Sequence, residues 1–431
     1  MKHPYAHKAA AAALGLTLLT GTATACAPTG EGAGAAPHPV YSARPADQLV
    51  AARKATQAAG SARFTSTLTW QHPRTSRNLT DRTTGDQSFT HGVAHANRTV
   101  TVPDDFPETI ADLYGDRPGR KRYGYAVQGS DVFYRTLTGT WLRYPSGAPQ
   151  EFAQATWGFN DRAGSLTPYG GTLADVAFAS FPTAPPKTLP VGTRRYTLNA
   201  DGGVAESLLP KGLALRDSPE PAVAKSAPVQ VPLTVDLDQD GRLTRATADL
   251  TPLLADRETD EDDGAEDNLS LRAELNFTHY GTRTGPPVPP GDRTEDATRT
   301  LTLLTGLKPG ACATTDTGLD GLSLVRPADC AAGRHDLRVL GQVKVKKSTR
   351  APITTQDGDD IAVRRCATLA ANAAPRLRAE AHPPGNYAAY GQSQWSTLMG
   401  GSDGGTNTVE GQYTCYFLTS VPVDPDSVQE V

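Results

Sequence analysis

The stretch Val229-Gln230-Val231-Pro232-Leu233-Thr234-Val235-Asp236-Leu237-Asp238-Gln239-Asp240-Gly241-Arg242-Leu243 decides the fold. Val229, Val231, Leu233, Val235 and Leu237 alternate with Gln230, Thr234 and Asp236, and after Gln239-Asp240-Gly241 a second alternating run continues from Arg242 to Leu250. Period-two alternation describes a strand with one dry and one wet face, and two such runs across an aspartate-glycine turn form a hairpin. The same pattern recurs on both sides. In Ala62 to Trp70, Phe64, Leu68 and Trp70 share a face opposite Arg63, Thr65, Thr67 and Thr69, and in Leu269 to Phe277 the apolar face carries Leu271, Leu275 and Phe277. Thr80 to Val102, Tyr123 to Tyr144 and Arg194 to Asn199 read as further strands.

Few segments read as helix. Ala46 to Ala59 is alanine-rich and stopped by Gly60, and Gln150 to Ala179 supplies one or two short helices with Phe152, Trp157, Leu173, Val176 and Phe178. Strands with one polar face need cover on the other, and these helices are the only candidates. The expectation is an α+β fold, an antiparallel curved sheet wrapped over a few helices. Its inner face is to be lined by Phe64, Leu68, Trp70, Val231, Leu233, Val235, Leu271, Leu275 and Phe277.

The start of the chain reads as an address. Lys2 and Lys8 precede the apolar run Ala9 to Leu19, which is of signal-peptide length and too short for a permanent span, and small residues then lead to Cys26. Gly21-Thr22-Ala23-Thr24-Ala25-Cys26 resembles the lipobox of bacterial lipoproteins, with Ala23 where leucine is usual. Cleavage after Ala25 and lipidation of Cys26 would leave two acyl chains, enough to hold a protein on a membrane where one chain is marginal. Residues 1–25 are then a signal peptide and 26–44 a flexible tether, poor in bulky apolar residues to about Ala43. The expected location is the outer face of the cell membrane, lipid-anchored.

A net charge of -4 argues against a nucleic-acid partner. Beyond Cys26 the other cysteines, Cys312, Cys330, Cys366 and Cys415, fall in the last third without any CxxC pair, which argues for disulfides over zinc and leaves three pairings.

The order of parts over about residues 45–290 resembles the LolA-like half-barrels, and within them the LppX/LprG-type envelope lipoproteins. The features that carry it are Gly60-Ser61-Ala62-Arg63-Phe64 after the helix, the strands ending at Tyr134 and Tyr144, the Val235 to Leu243 hairpin, and Phe277-Thr278-His279-Tyr280-Gly281 before a proline-rich exit. The resemblance implies a half-barrel whose hollow holds a lipid or lipoconjugate. Residues 291–431 form a different module. Leu307-Lys308-Pro309-Gly310-Ala311-Cys312, Val325-Arg326-Pro327-Ala328-Asp329-Cys330, His335-Asp336, Cys366, Trp395 and Cys415-Tyr416-Phe417-Leu418 resemble the septum-formation domain of exported bacterial proteins, with a glycine-rich departure at Leu398 to Gly405. This would be a small disulfide-bonded α+β domain. Pairing in sequence order, Cys312 with Cys330 and Cys366 with Cys415, closes the shorter loops without threading the chain, and the resemblance points the same way.

Chemistry is scarce. Asp236-x-Asp238-x-Asp240-Gly241 matches the first half of a calcium loop, but its twelfth position is Thr247 and its flanks are strands, so an aspartate-rich turn is the plainer reading. His91 and His95, four apart in a strand, stand about 13 Å apart, too far to share an ion. His335-Asp336 has no nucleophile nearby and reads as structural. The basic cluster Arg117, Arg120, Lys121 and Arg122 and the acidic run Asp256 to Asp267 read as solvated loops. No catalytic residue, metal or cofactor is expected. The partners expected are the membrane, through the anchor, and either a lipid ligand or a cell-wall or envelope protein met by a surface with a closed core.

Overall fold

The computed structural model describes residues 38–419, apart from 91, 115–118, 130, 137, 150–151, 153–171, 211–228, 256–268, 283–292, 316–323, 333–334, 352, 380–389 and 400–405. The segment read as a signal peptide, Cys26, His91, Arg117 and the acidic run lie outside the described residues. Among those described, no helix is long and apolar enough to cross a membrane.

Among the described residues the strands form two sheets. The first has thirteen strands: β1 (Ser61–Gln71), β2 (Leu79–Ser88), β3 (Val93–Val102), β4 (Gly119–Gln128), β5 (Asp131–Arg135), β6 (Trp141–Tyr144), β7 (Phe181–Pro182), β8 (Lys187–Thr188), β9 (Arg194–Asp201), β10 (Gln230–Leu237), β11 (Leu243–Asp249), β12 (Ser270–Thr278) and β13 (Thr294–Asp296). Their order is β13-β6-β5-β4-β3-β2-β1-β12-β11-β10-β9-β7, with β8 also on β9. Two meanders, β1 to β6 and β9 to β12, therefore meet at the β1–β12 seam, where Phe64 lies opposite Phe277 and Trp70 opposite Leu271.

This arrangement corrects the expected half-barrel. The sheet is open, neither closed nor strongly curled, and it is mixed, because β13 joins β6 in parallel. Its edges end in strands of two or three residues, too short to pair with each other and close the sheet. Alternation in sequence gives each strand its faces but carries no information on how far a sheet bends.

The helices that bear on the argument are α1 (Pro39–Ser42), α2 (Pro45–Ala58), α3 (Glu108–Ala111), α4 (Thr172–Ala179) and α5 (Thr355–Ala371). The segment read as tether up to Ala43 already packs: Val40 of α1 is buried against the β10–β11 turn, and the Tyr41 hydroxyl donates to the Asp238 carbonyl. α2 is tied to β11 by Thr56, whose hydroxyl accepts from the Leu243 amide at 2.9 Å, and to α4 by Arg53–Asp175 at 2.8 Å. α4 lies across β9 to β12, so the apolar sides of these strands and of α2 and α4 make one core.

The second sheet is a smaller, disulfide-bonded β/α region. Its strands are β14 (Thr302–Leu303), β15 (Cys312–Thr314), β16 (Leu324–Ala328), β17 (Leu337–Thr349), β18 (Tyr390–Met399) and β19 (Asn407–Leu418), in the order β14-β16-β15-β17-β19-β18. α5 packs on it, started by a capping box in which Thr354 and Asp357 exchange hydrogen bonds. Disulfides join Cys312 to Cys330 and Cys366 to Cys415, the second fastening α5 to β19.

Candidate functional site

The inner face of the first sheet is built from cross-strand rows. One row runs Tyr196, Val235, Ala246, Leu275, Ser66, Thr83, Arg98 and Tyr123, and the next runs Leu198, Leu233, Ala248, Ala273, Leu68, Asp81, Val100 and Lys121. Both change character at β1. On β9 to β12 every position is apolar or aromatic and lies under α2 and α4, whereas on β2 to β4 the same face carries Thr83, Asp81, Arg98 and Lys121.

Of the nine residues expected to line a hollow, Phe64, Trp70, Val231, Leu233, Val235, Leu271, Leu275 and Phe277 are at most 2% exposed and belong to the core. Leu68 is half-buried at its border. The indole N–H of Trp70 is used inside the protein, donating to the Tyr114 hydroxyl at 2.9 Å. Beside Leu68, Arg98 grips Asp81 through two hydrogen bonds of 2.9 and 2.8 Å, and its guanidinium lies 5.7 Å from the centre of the Tyr123 ring. Lys121 donates to the Tyr114 carbonyl at 2.8 Å. Sequence reading missed this inward ion pair, because β2 is polar on both faces. Its signal was the phase of Leu79, Asp81, Thr83 and Gly85, which could be assigned only once Trp70 was known to lie opposite Leu79.

The opposite, outward face holds a groove of about 400 Å³, lined by Thr197, Thr234, Thr247, Asp249, Ser270 and Arg272 among others. Thr234 and Thr247 share a hydroxyl hydrogen bond of 2.6 Å across its floor. This space lies on the wet side of the strands whose dry side was expected to enclose one.

The other motifs resolve into structure. Asp236 takes two hydrogen bonds from Arg195 at 2.7 and 2.6 Å, Asp238 accepts from the Asp240 and Arg242 amides at 2.9 Å and from Arg242 Nε at 2.9 Å, and Asp240 pairs with Arg242 at 2.6 Å. The half calcium loop is thus an arginine-neutralised hairpin turn. Among the described residues no group of three His, Cys, Asp or Glu is placed to hold a metal ion. Asp336 accepts from the Thr315 amide at 2.7 Å and serves the turn after β15, while both ring nitrogens of the buried His335 lack a partner among the described residues. His95 lies on the outward face 6.2 Å from Trp141, and burial, together with Arg135, holds its imidazole below the usual range against the opposing pull of Asp86. The basic cluster read as a loop stands instead at the start of β4: Arg120 and Arg122 are exposed and Lys121 turns inward.

Comparison with solved structures finds low-identity likenesses. One is to a LolA superfamily protein from Nitrosomonas europaea, with 10% identity, 57% of this chain and 96% of that one covered, and a TM-score of 0.19. Another is to a DUF1329 family protein from Desulfovibrio piger, with 7% identity, 55% and 92% covered, and a TM-score of 0.20. Neither superposes closely enough to bear on function. No protein-family model matches the chain, and no curated protein does.

Proposed function

We propose that this chain is a non-enzymatic lipoprotein, held by Cys26 on the outer face of the cell membrane, that acts by recognising a cell-wall or envelope protein partner. The observation that carries the reading is the packing of the inner face, where eight of the nine expected lining residues are core. A carrier needs apolar surface free to meet its cargo, and these side chains already meet α2, α4 and one another. The carboxylates that sequence singled out are engaged in turns and ion pairs, which supports a structural role for them over acid-base work. A second reading, an amphiphile carrier, is favoured by one feature: the Asp81–Arg98 pair beside half-buried Leu68 gives the inner face a polar end next to an apolar one.

Native mass spectrometry of protein purified from its own membrane tests both parts. The expected spectrum shows a chain beginning at an acylated Cys26 and carrying no other lipid. An unacylated chain would remove the anchor, and a stoichiometric non-covalent lipid would replace recognition by carriage.

A further inference from the structure

Where the first sheet turns an arginine outward, it usually sets a carboxylate beside it. Arg63 holds Asp86 at 3.0 Å, Arg143 holds Asp131 at 2.8 Å, Arg195 holds Asp236 at 2.6 Å and Arg245 holds Glu274 at 3.1 Å. Opposite charges on adjacent strands stabilise a sheet. One region departs from this rule. Arg82 lies opposite Thr67 and Thr99, Arg122 opposite Thr99, Arg120 opposite Thr101 and Arg135 opposite Gly124, all on the outward face. The four arginines are exposed, and none has an ion pair among the described residues. From the row of Thr65 to the row of Thr69, the other outward positions on β1 to β4 are threonine, asparagine or glycine. Asp104 and Asp105 stand beyond them on the loop after β3, and Asp105 accepts from the Ser76 amide at 2.9 Å, so positive charge is in excess here. Arg120 and Arg122 are about 7 Å apart along β4, and Arg82 is about 10 Å from Arg122 across β3. Those separations are close to the Debye length of about 8 Å in physiological salt, so the arginines repel one another and gain nothing from the fold in return.

We infer that this face docks on the anionic bilayer to which the chain is anchored, with Arg82, Arg120, Arg122 and Arg135 over lipid phosphates and Trp141 at the level of the headgroups. The inference rests on the anchor proposed above. Magnitude favours a bilayer over a soluble anion. A basic side chain near an anionic membrane gains about 1 kcal/mol, or about fivefold in partitioning. Four together correspond to a dissociation constant on the order of 1 mM, too weak to collect a dilute ligand. A surface held in reach by a short flexible tether is met at millimolar effective concentration, and docking on it is then populated.

The tether is long enough. Cys26 and His38 are twelve residues apart, which allows a span of at most about 42 Å. The β10–β11 turn, on which Val40 of α1 packs, lies about 25 Å from Arg82, counted in strand spacings and residue rises. The rim of the face agrees with the same occupant. Trp141 stands directly opposite Arg135, half-buried on the outward side. An indole, with its apolar body and polar N–H, is a side chain typical of membrane–water interfaces.

Co-sedimentation of residues 26–431 carrying Cys26→Ser, which lack the acyl chains and the apolar run Ala9 to Leu19, tests the face apart from the anchor. At millimolar lipid and low salt, vesicles of equal parts phosphatidylglycerol and phosphatidylcholine are expected to bind the protein, and vesicles of phosphatidylcholine alone are not. Arg82→Gln/Arg120→Gln/Arg122→Gln should lower binding on the order of 100-fold, with a melting temperature no lower than that of the parent. Should the three changes together perturb the fold, each alone is expected to lower binding about fivefold. Lys344→Gln/Lys346→Gln/Lys347→Gln makes the same change in net charge at exposed positions of β17 and should leave binding intact. Equal loss in both triple variants would reveal an effect of net charge and overturn the docking face. So would binding to neither kind of vesicle, or capture of soluble polyphosphate by a chain that ignores vesicles. An unacylated Cys26 in the native spectrum removes the anchor and leaves the vesicle result standing, so the two failures are distinguishable.

Discussion

Gly85 of β2 has no space for even a methyl group: a Cβ there would come within 2.3 Å of the His95 carbonyl oxygen and 2.9 Å of the Phe64 ring. The oxygen is backbone and cannot swing aside, so Gly85→Ala is expected to cost about 2 to 3 kcal/mol in urea unfolding. Trp70→Ala should cost about 3 to 5 kcal/mol, the loss of a packed aromatic residue, and a loss well below that range would mean that the indole borders open space. His95 makes a pH-dependent contribution. Its folded-state pKa is lowered, mainly by burial, so on acidification the unfolded chain takes up the proton first. The contribution is therefore intact above the ordinary imidazole pKa of about 6.5 and is lost as pH falls through that value toward the folded one. A stability profile from pH 8 to pH 5 should flatten in His95→Gln, and a slope identical to that of the parent chain would assign the effect elsewhere.

At the scale of elements, the β10–β11 turn is held mainly by one side chain. Asp238→Ala removes three hydrogen bonds to Asp240 and Arg242, together with the charge that Arg242 answers, and is expected to cost about 1.5 to 3 kcal/mol. Calcium should leave the melting temperature of the parent chain unchanged, and a rise on adding it would revive the ion-loop reading. Gly241 in this turn has φ of +70°, a conformation suited to the glycine written there. Such local signals were the legible part of the sequence. β1, β10, β11 and β12 and helix α2 fall within a residue or two of the alternating and alanine-rich runs that announced them. α1 was not legible, because His38 to Ala43 looks like linker and is ordered only by contacts far along the chain, Val40 against Gly241 and Tyr41 against Asp238 and Arg194. The inward Asp81–Arg98 pair was hidden for the same reason, since its face is defined by a neighbouring strand.

For the molecule as a whole, the two disulfides lie in the region of the second sheet, one tying β15 to the turn after β16 and the other α5 to β19. They close loops of 18 and 49 residues, worth about 3 and about 4 kcal/mol in lost entropy of the unfolded chain. Reduction is expected to open that region to protease while β1 to β13 stay protected, and equal cleavage of both would show that the first sheet leans on the second for its stability. Sheet curvature lay beyond the sequence because it depends on how two meanders meet and on how the edges end, properties that no single run of residues encodes.

The β1–β12 seam has a consequence for how the protein is made. β1 emerges early from the ribosome, yet one of its two hydrogen-bonding edges belongs to a strand near the end of the same sheet. The first meander can assemble alone, but it must wait with the Phe64–Trp70 edge unsatisfied until the second meander arrives, and contacts of such long range fold slowly. Throughout that interval the nascent chain offers a long, half-apolar template to any extended segment nearby. A factor that masks β1 during synthesis would therefore act on yield and leave the finished structure unchanged.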